Sequence, residues 1–598
     1  MVTLTIDNQK VTVPEGTTVL EAAKQAGIHI PTLCYLKDIN EIGACRVCLV
    51  EIEGNRKLQA ACVYPVAEGM VVSTNSPRVR RARKTTVELI LSNHPQDCLV
   101  CLRNQNCELQ TLSRDLGITE VRYTGRMTDV DKDQSSPSIV RDPNKCVLCR
   151  RCIAVCSQIQ GVDILGAAGR GFDTVVAPAW QAEIGTTACT NCGQCVLVCP
   201  VGALTEKDDT EKVFDALADP EKHVVIQTAP AVRVALAEEF GEPPGSIATG
   251  KMVAALRRLG FDRVFDTDFT ADLTIIEEAN ELLERLQSGG KLPLITSCSP
   301  GWIKFIEHHY PDMLEHLSTC KSPQQMFGTL VKTYYAQTAN IDPEKIVSVS
   351  LMPCTAKKYE AQRPEMNSSG YQDVDYVITT RELARMLRLA GIDWARIEEE
   401  EYDEPLGIST GAGLIFGATG GVMEAALRTA YETVTKEELP SLDFTEVRGL
   451  QGIKEAEVDL GGTKLKVAVA HTLANARKLL EAIKSGEAEY HFIEVMACPG
   501  GCIGGGGQPL PVDNEVRQKR IDAIYAGDRA MTLRKSHENP AVKTLYEEFL
   551  GKPNGPKAHE LLHTSYTKRR IIPLGEDDGA VDSPSLAEIA VAGNGADN

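Results

Sequence analysis

No run of this 598-residue sequence is long and apolar enough to span a membrane. Its start, MVTLTIDNQKVTV, alternates like a strand and lacks the basic opening and apolar stretch of a secretory signal, so a cytoplasmic location is expected. There is no G-x-G-x-x-G dinucleotide fingerprint and no flavin signature, which argues against direct use of NADH by this chain. Positive charge is also short. The 63 Lys and Arg stand against 82 Asp and Glu, a net charge of -19 that argues against nucleic acid as a partner and for solubility. What is present in quantity is cysteine, 20 in all, and in a reducing compartment thiols are better read as metal ligands than as disulfides. With 43% hydrophobic residues the length suffices for several domains and at least one large core.

Residues 1–80 open with two alternating runs, Val2 to Ile6 and Lys10 to Val13, followed by a helical stretch from Thr18 that Gly27 can end, which predicts a small sheet with one helix across it. Cys34, Cys45, Cys48 and Cys62 combine one early cysteine, a tight C-x2-C loop and one distant cysteine. The pattern resembles plant-type ferredoxins, whose first loop is x4 where this one is x10, and a 2Fe-2S cluster is expected. After a helix over Arg78 to Asn93, residues 81–125 carry His94, Cys98, Cys101 and Cys107 in the spacing H-x3-C-x2-C-x5-C. Three cysteines with one histidine also make a structural zinc set, but the position between ferredoxin-like motifs favours a 4Fe-4S cluster with a histidine ligand.

Residues 126–210 contain C-x2-C-x2-C-x3-C twice, at Cys146, Cys149, Cys152, Cys156 and at Cys189, Cys192, Cys195, Cys199. In such pairs the fourth cysteine of each run crosses to the other cubane. One 4Fe-4S cluster is therefore expected on Cys146, Cys149, Cys152 and Cys199, and its neighbour on Cys189, Cys192, Cys195 and Cys156. The front of the chain resembles the large peripheral subunit of respiratory complex I and then the bacterial two-cluster ferredoxins. Both are electron conduits.

Lys212 to Pro220 reads as a polar connection, and from Val224 apolar strands such as VVIQTAP alternate with long helical patterns, an α/β signature. Short loops rich in Pro, Gly, Ser and Thr stand at the strand ends, TAPAVR, TSCSPGW and MPCTAKK, followed by IEVMACPGGCIGGGGQP, where glycines crowd behind Cys498 and Cys502. Thiols beside so little side-chain bulk suggest a backbone wrapped closely around an inorganic group.

TSC, MPCTAKK and EVMACPGGC in this order, with a glycine run and QP behind them, resemble the iron-only (FeFe) hydrogenases over nearly the whole chain. The resemblance implies an α/β catalytic domain over 211–573, with open sheets and the active site between two lobes. Small α+β iron-sulfur domains precede it: a β-grasp 2Fe-2S ferredoxin-like unit, a 4Fe-4S unit held by one histidine and three cysteines, and a two-cluster ferredoxin-like unit. It implies an H-cluster, a 4Fe-4S cubane joined to a diiron subcluster that carries CO, CN and a bridging dithiolate. Cys354 and Cys498 match cubane ligands and Cys502 the bridging ligand. The family loop reads TSCCPGW; here the pair is Cys298-Ser299. Position matching gives the proton relay to Cys298 and leaves serine at the ligand position, whereas ligand chemistry favours Cys298 as the fourth thiolate with Ser299 as a weaker proton carrier. Glu278, Glu281, Arg285 and Ser318 match the family's proton path, Lys357 a cyanide donor, and Ala229, Pro230, Gln324, Met352 and Met496 the walls of the diiron pocket. Cys320 is left over as a small buried hydrophobe.

These expectations describe reversible reduction of protons to H2, with electrons relayed through one 2Fe-2S and three 4Fe-4S clusters. The Cys-Ser loop and the complex-I-like front resemble catalytic subunits of NAD-linked or electron-bifurcating complexes, so flavin- and NAD-binding partner subunits or ferredoxin are the expected partners, in a hetero-oligomer with no membrane component. The rivals are a single-chain ferredoxin-dependent enzyme, a non-catalytic electron-transfer or cluster-assembly protein, and a redox sensor. A disordered acidic tail is expected over 574–598.

Overall fold

The computed structural model describes residues 1–462 and 464–570, so the expected tail lies outside the described residues. At the front, Val2–Ile6 and Gln9–Val13 pair antiparallel and Val71–Ser73 adds parallel to the first strand, in a five-stranded sheet whose far edge is Leu49–Ile52 and Gln59–Ala60. The helix Val19–Gln25 crosses this sheet, its N-terminus capped by Thr18, whose side chain accepts from the Glu21 N–H. Its apolar positions Val19, Leu20, Ala22 and Ala23 face the sheet core. Behind it, the three iron-sulfur segments share one core, in which Leu33 and Val47 of the first meet Leu109 and Leu112 of the second and Leu165 and Val196 of the third.

The catalytic part consists of two open sheets. In the first lobe Arg263–Asp266, His223–Thr228, Ile346–Met352 and Tyr376–Thr379 run parallel in that spatial order. In the second, Leu294–Ile295, Phe492–Met496 and Lys464–His471 run parallel, and Ile453–Asp459 closes the edge antiparallel. Ile346–Met352 and Phe492–Met496 are buried at every residue, as parallel strands covered on both faces must be.

One expectation fails. Lys212 to Pro220, read as a polar connection, lies mostly in an amphipathic helix, Thr210–Ala218. Val213 is fully buried in the first lobe's core, and Phe214, Ala216 and Leu217 pack against it. The charged residues that suggested a linker are its solvent face.

The C-terminal segment fastens across both lobes. Lys321 N–H donates to Leu562 O at 2.8 Å, Thr564 N–H donates to Thr319 O at 2.8 Å, and Arg569 reaches the buried Glu307 at 2.6 Å. No helix among the described residues is long and apolar enough to cross a membrane.

Candidate catalytic site and electron relay

The sequence-predicted loops all leave the C-terminal ends of parallel strands, where open sheets bind ligands. Ala229-Pro230 and Cys354 follow two strands of the first lobe; Cys298-Ser299 and Cys498 follow two of the second. They meet at one cavity, lined by Ala229, Pro230, Cys298, Ser299, Gln324, Met352, Cys354, Lys357, Met496, Cys498 and Cys502. Phe416 and Cys192 complete its wall, and neither was read as part of it from the sequence.

The glycines behind Cys502 have a steric reason. A Cβ on Gly506 would lie 2.5 Å from Cys192 O, one on Gly505 2.2 Å from Pro353 O, and one on Gly501, whose φ is +90°, 2.6 Å from Thr419 N. The ligand loops of both lobes and the ferredoxin-like unit are thus in backbone contact. Gln194 Nε2 donates to Gly504 O at 2.9 Å and Thr355 Oγ1 donates to Asn191 O at 2.7 Å, locking the same junction.

Burial raises the proton affinity of every thiol in the cavity, and Cys502 is pushed up to about 12. Such thiols stay neutral until a metal takes the proton's place. Gln324, which lines the cavity, has its Oε1 buried without a hydrogen-bond partner. Lys357 Nζ is held by Glu360 at 2.8 Å and by Cys298 O at 3.2 Å, and Glu360 also accepts from Gln324 at 3.0 Å and Ser322 at 2.8 Å. Glu360 was missed in the sequence; its signal was the i,i+3 spacing from Lys357.

The two members of the Cys-Ser pair face different neighbours. Ser299 Oγ accepts the Ala497 N–H at 3.2 Å, on the Cys498 side. The Cys298 thiol is raised by burial, and the charge that acts on it most strongly is Glu278. Glu278 is buried, and neither of its oxygens has a hydrogen-bond partner among the described residues. Burial first and the charge of Glu281 second push it up to about 8. Ser318 Oγ donates to Glu281 at 2.9 Å, and Arg285 donates to Glu281 at 2.6 Å and to Leu317 O at 2.8 Å. Ser318, Glu281 and Arg285 are thus joined by hydrogen bonds, and the charge of Glu281 acts on the buried Glu278. Cys320 is fully buried.

The relay cysteines also converge. Cys146, Cys149, Cys152 and Cys199 line one cavity; Cys156, Cys189, Cys192 and Cys195 line a second. Cys192 belongs to both the second and the catalytic cavity. His94, Cys98 and Cys107 line another cavity, and the buried His94 Nδ1 has no partner among the described residues. Burial lowers this imidazole's proton affinity and so keeps it neutral, as a ligand must be. Cys101 turns its sulfur to Gly202, where a Cβ would lie 2.8 Å away. In the first domain Cys34, Cys48 and Cys62 are buried with Cys45 half-buried, and the sulfurs of Cys48 and Cys62 are 3.3 Å apart. Asn40 Nδ2 donates to both Cys34 O at 2.7 Å and Cys149 O at 3.0 Å, while Arg103 donates to Cys199 O at 3.3 Å. The first two units both abut the same ferredoxin-like cavity.

Comparison with known proteins agrees with this geometry. Family profiles match residues 1–77 as "2Fe-2S iron-sulfur cluster binding domain", 83–122 as "NADH-ubiquinone oxidoreductase-G iron-sulfur binding region" and 136–205 as "NADH-quinone oxidoreductase subunit 3, ferredoxin-like domain". Residues 222–506 match "Iron only hydrogenase large subunit, C-terminal domain" and 514–569 "Iron hydrogenase small subunit". The chain is 55% identical to the NADP-reducing hydrogenase subunit HndD of Solidesulfovibrio fructosivorans over 95% of its length and 99% of that protein. It is 42% identical to iron hydrogenase 1 of Clostridium pasteurianum over 95% of its length and 100% of that protein. A solved structure of apo FeFe-hydrogenase HydA1 from Chlamydomonas reinhardtii superposes with a TM-score of 0.55 at 46% identity, over 60% of this chain and 99% of that one.

Proposed function

The chain belongs to the iron-only hydrogenases, oxidoreductases acting on H2, and from that premise we propose how its own residues divide the work. Cys354, Cys498 and Cys502 would hold the H-cluster, with Ser299 at the fourth ligand position of its cubane. When bound, that group supplies the iron centre at which H2 is split or formed. Lys357, fixed by Glu360, offers its ammonium to a cyanide, and Met352, Met496, Ala229, Pro230 and Phe416 exclude water.

Cys298 is the proton relay rather than a ligand. The observation that carries this reading is that Ser299, not Cys298, makes the contact on the Cys498 side, its Oγ accepting the Ala497 N–H, while Glu278 is the charge that acts most strongly on the Cys298 thiol. The proton moves between the Cys298 thiol and the Glu278 carboxyl, then by Ser318 to Glu281, and Arg285 holds Glu281 at the outer end. Glu278 suits an intermediate station because its raised proton affinity lets it carry a proton at neutral pH.

One 2Fe-2S cluster would be held by Cys34, Cys45, Cys48 and Cys62 and three 4Fe-4S clusters by His94 with Cys98, Cys101 and Cys107 and by the two crossed sets, and these would supply the electron path. Cys192, which lines both the last relay cavity and the catalytic cavity, would bring that cubane next to the site. The likeness to a subunit named NADP-reducing and the complex-I-like front support a catalytic subunit of an NAD(P)-linked complex in the cytoplasm, with flavin- and nucleotide-binding partners that this chain lacks.

Infrared spectroscopy on matured, anaerobic protein tests the site: CO and CN bands together with H2 turnover are expected, and their absence would sink the H-cluster assignment. Purification from the native source tests the partners. Flavin-containing subunits should accompany the chain; an active chain alone, reduced by ferredoxin, would replace the complex with the single-chain reading.

A further inference from the structure

We propose that Lys304 sets the reduction potential of the cubane on Cys156, Cys189, Cys192 and Cys195 by holding a buried positive charge against it. The proposal rests on the ligand assignment above. Lys304 stands on the helix Pro300–His309, which starts at the Cys-Ser loop. At Gly301 that helix touches the cubane loop, where a Cβ would lie 3.5 Å from Thr190 O and 3.8 Å from Cys192 Cβ. Three residues on, Lys304 shares that helical face, with the loop of Cys189 to Cys192 beside it at Gly301.

The side chain is only 7% exposed, yet among the described residues it makes no ion pair and no side-chain hydrogen bond. It rests on the ring of Tyr359, Nζ 4.6 Å from the centroid. The nearby carboxylate has other partners: Glu307 is held by Arg363 and by Arg569, each at 2.6 Å. Arg363 and Arg569 add positive charge around the lysine. A largely buried lysine without an ion-pair partner stands where an anion can balance its charge. Burial lowers its proton affinity, and the group that opposes burial most strongly is Cys189.

A cubane on four thiolates is an anion and gains one further negative charge when it takes up an electron from the neighbouring cluster. A fixed cation beside it favours the reduced form. This cubane shares the Cys192 wall with the catalytic cavity. Lys304 thus makes the last relay station the one that holds an electron ready for the site.

The test is an EPR-monitored redox titration of the full chain carrying its iron-sulfur clusters without the diiron unit, comparing wild type with Lys304→Met, Lys304→Gln and Lys304→Arg. Met and Gln should make reduction of one cubane about tenfold less favourable, roughly 59 mV more negative for one electron, while Arg keeps the wild-type potential and the 2Fe-2S potential does not move. No shift in Met and Gln, or an equal shift in Arg, would overturn the proposal. Failure of the ligand assignment looks different, because the cubane signal and its iron would already be missing from wild type.

Discussion

In the relay half, eight cysteines come from two short runs, Cys146 to Cys156 and Cys189 to Cys199, and the two cavities they line are exchanged only at their fourth members. In the catalytic half, Cys298, Cys354 and Cys498 follow strands of two separate sheets and meet only because the lobes close on one another. The relay is held by local chain geometry; the catalytic cavity is held by tertiary contact. The glycine run and the Gln194 and Thr355 hydrogen bonds show where the second kind of site must be fixed by neighbouring backbone. A defect in one relay unit should therefore remain local, whereas a defect in a catalytic loop should remove the function.

The largest expected effect follows directly. Cys498→Ala should reduce H2 turnover to background while EPR still shows the relay clusters, and His94→Ala should leave the catalytic signals intact with only its own cluster altered. Equal damage from both would break the contrast. Next comes the proton line, where Glu278→Gln should retain the infrared bands yet lower turnover by about 10²–10⁴-fold, the usual worth of a positioned acid or base. The sign of the pH dependence is set by the upward shift. Glu278 keeps its proton below about 8 and loses it as the pH rises through that value, so H2 evolution should fall on that limb, and the limb should vanish in Glu278→Gln. A pH–rate profile unchanged by the substitution would remove Glu278 from the path. Glu281→Gln should likewise keep the bands and lose turnover.

Much of this was legible beforehand because iron-sulfur ligands obey spacing rules that short sequence windows contain. The crossed sets on Cys156 and Cys199 lie in the two cavities where those rules place them. Other features depend on contacts between distant segments and left no local trace. Cys192 forms part of the catalytic wall, and Asn40 joins Cys34 to Cys149. The orientation of Cys298 and Ser299 is of the same kind, since adjacent side chains diverge according to what packs around them. The stretch from Lys212 to Pro220 failed for a different reason: its charged residues and closing Asp-Pro read as a connection, and only the spacing of Val213, Phe214 and Leu217 reveals the buried face of the helix Thr210–Ala218.

A smaller effect is expected at the ligand position. Ser299→Cys supplies the thiolate that the serine lacks, so the cubane's EPR and Mössbauer parameters should change while turnover stays within a few-fold, because Cys298 remains beside Glu278. If turnover collapsed instead, the two residues would have exchanged roles. The smallest effect belongs to Asn40, at the seam between relay units. Asn40→Leu leaves two buried carbonyl oxygens, of Cys34 and Cys149, without their donor, about 1–3 kcal/mol each for an unsatisfied group. The local backbone should loosen without losing either cluster, because the cysteines on both sides are held by their own loops. Under H2, EPR should then show the 2Fe-2S cluster reduced a few-fold more slowly than in wild type while the cubanes fill at the usual rate. An undiminished 2Fe-2S rate would mean that the electron crosses this seam without the Asn40 bridge, and the two halves would differ less than their architecture suggests, with tertiary contact dispensable in the relay even where its units meet.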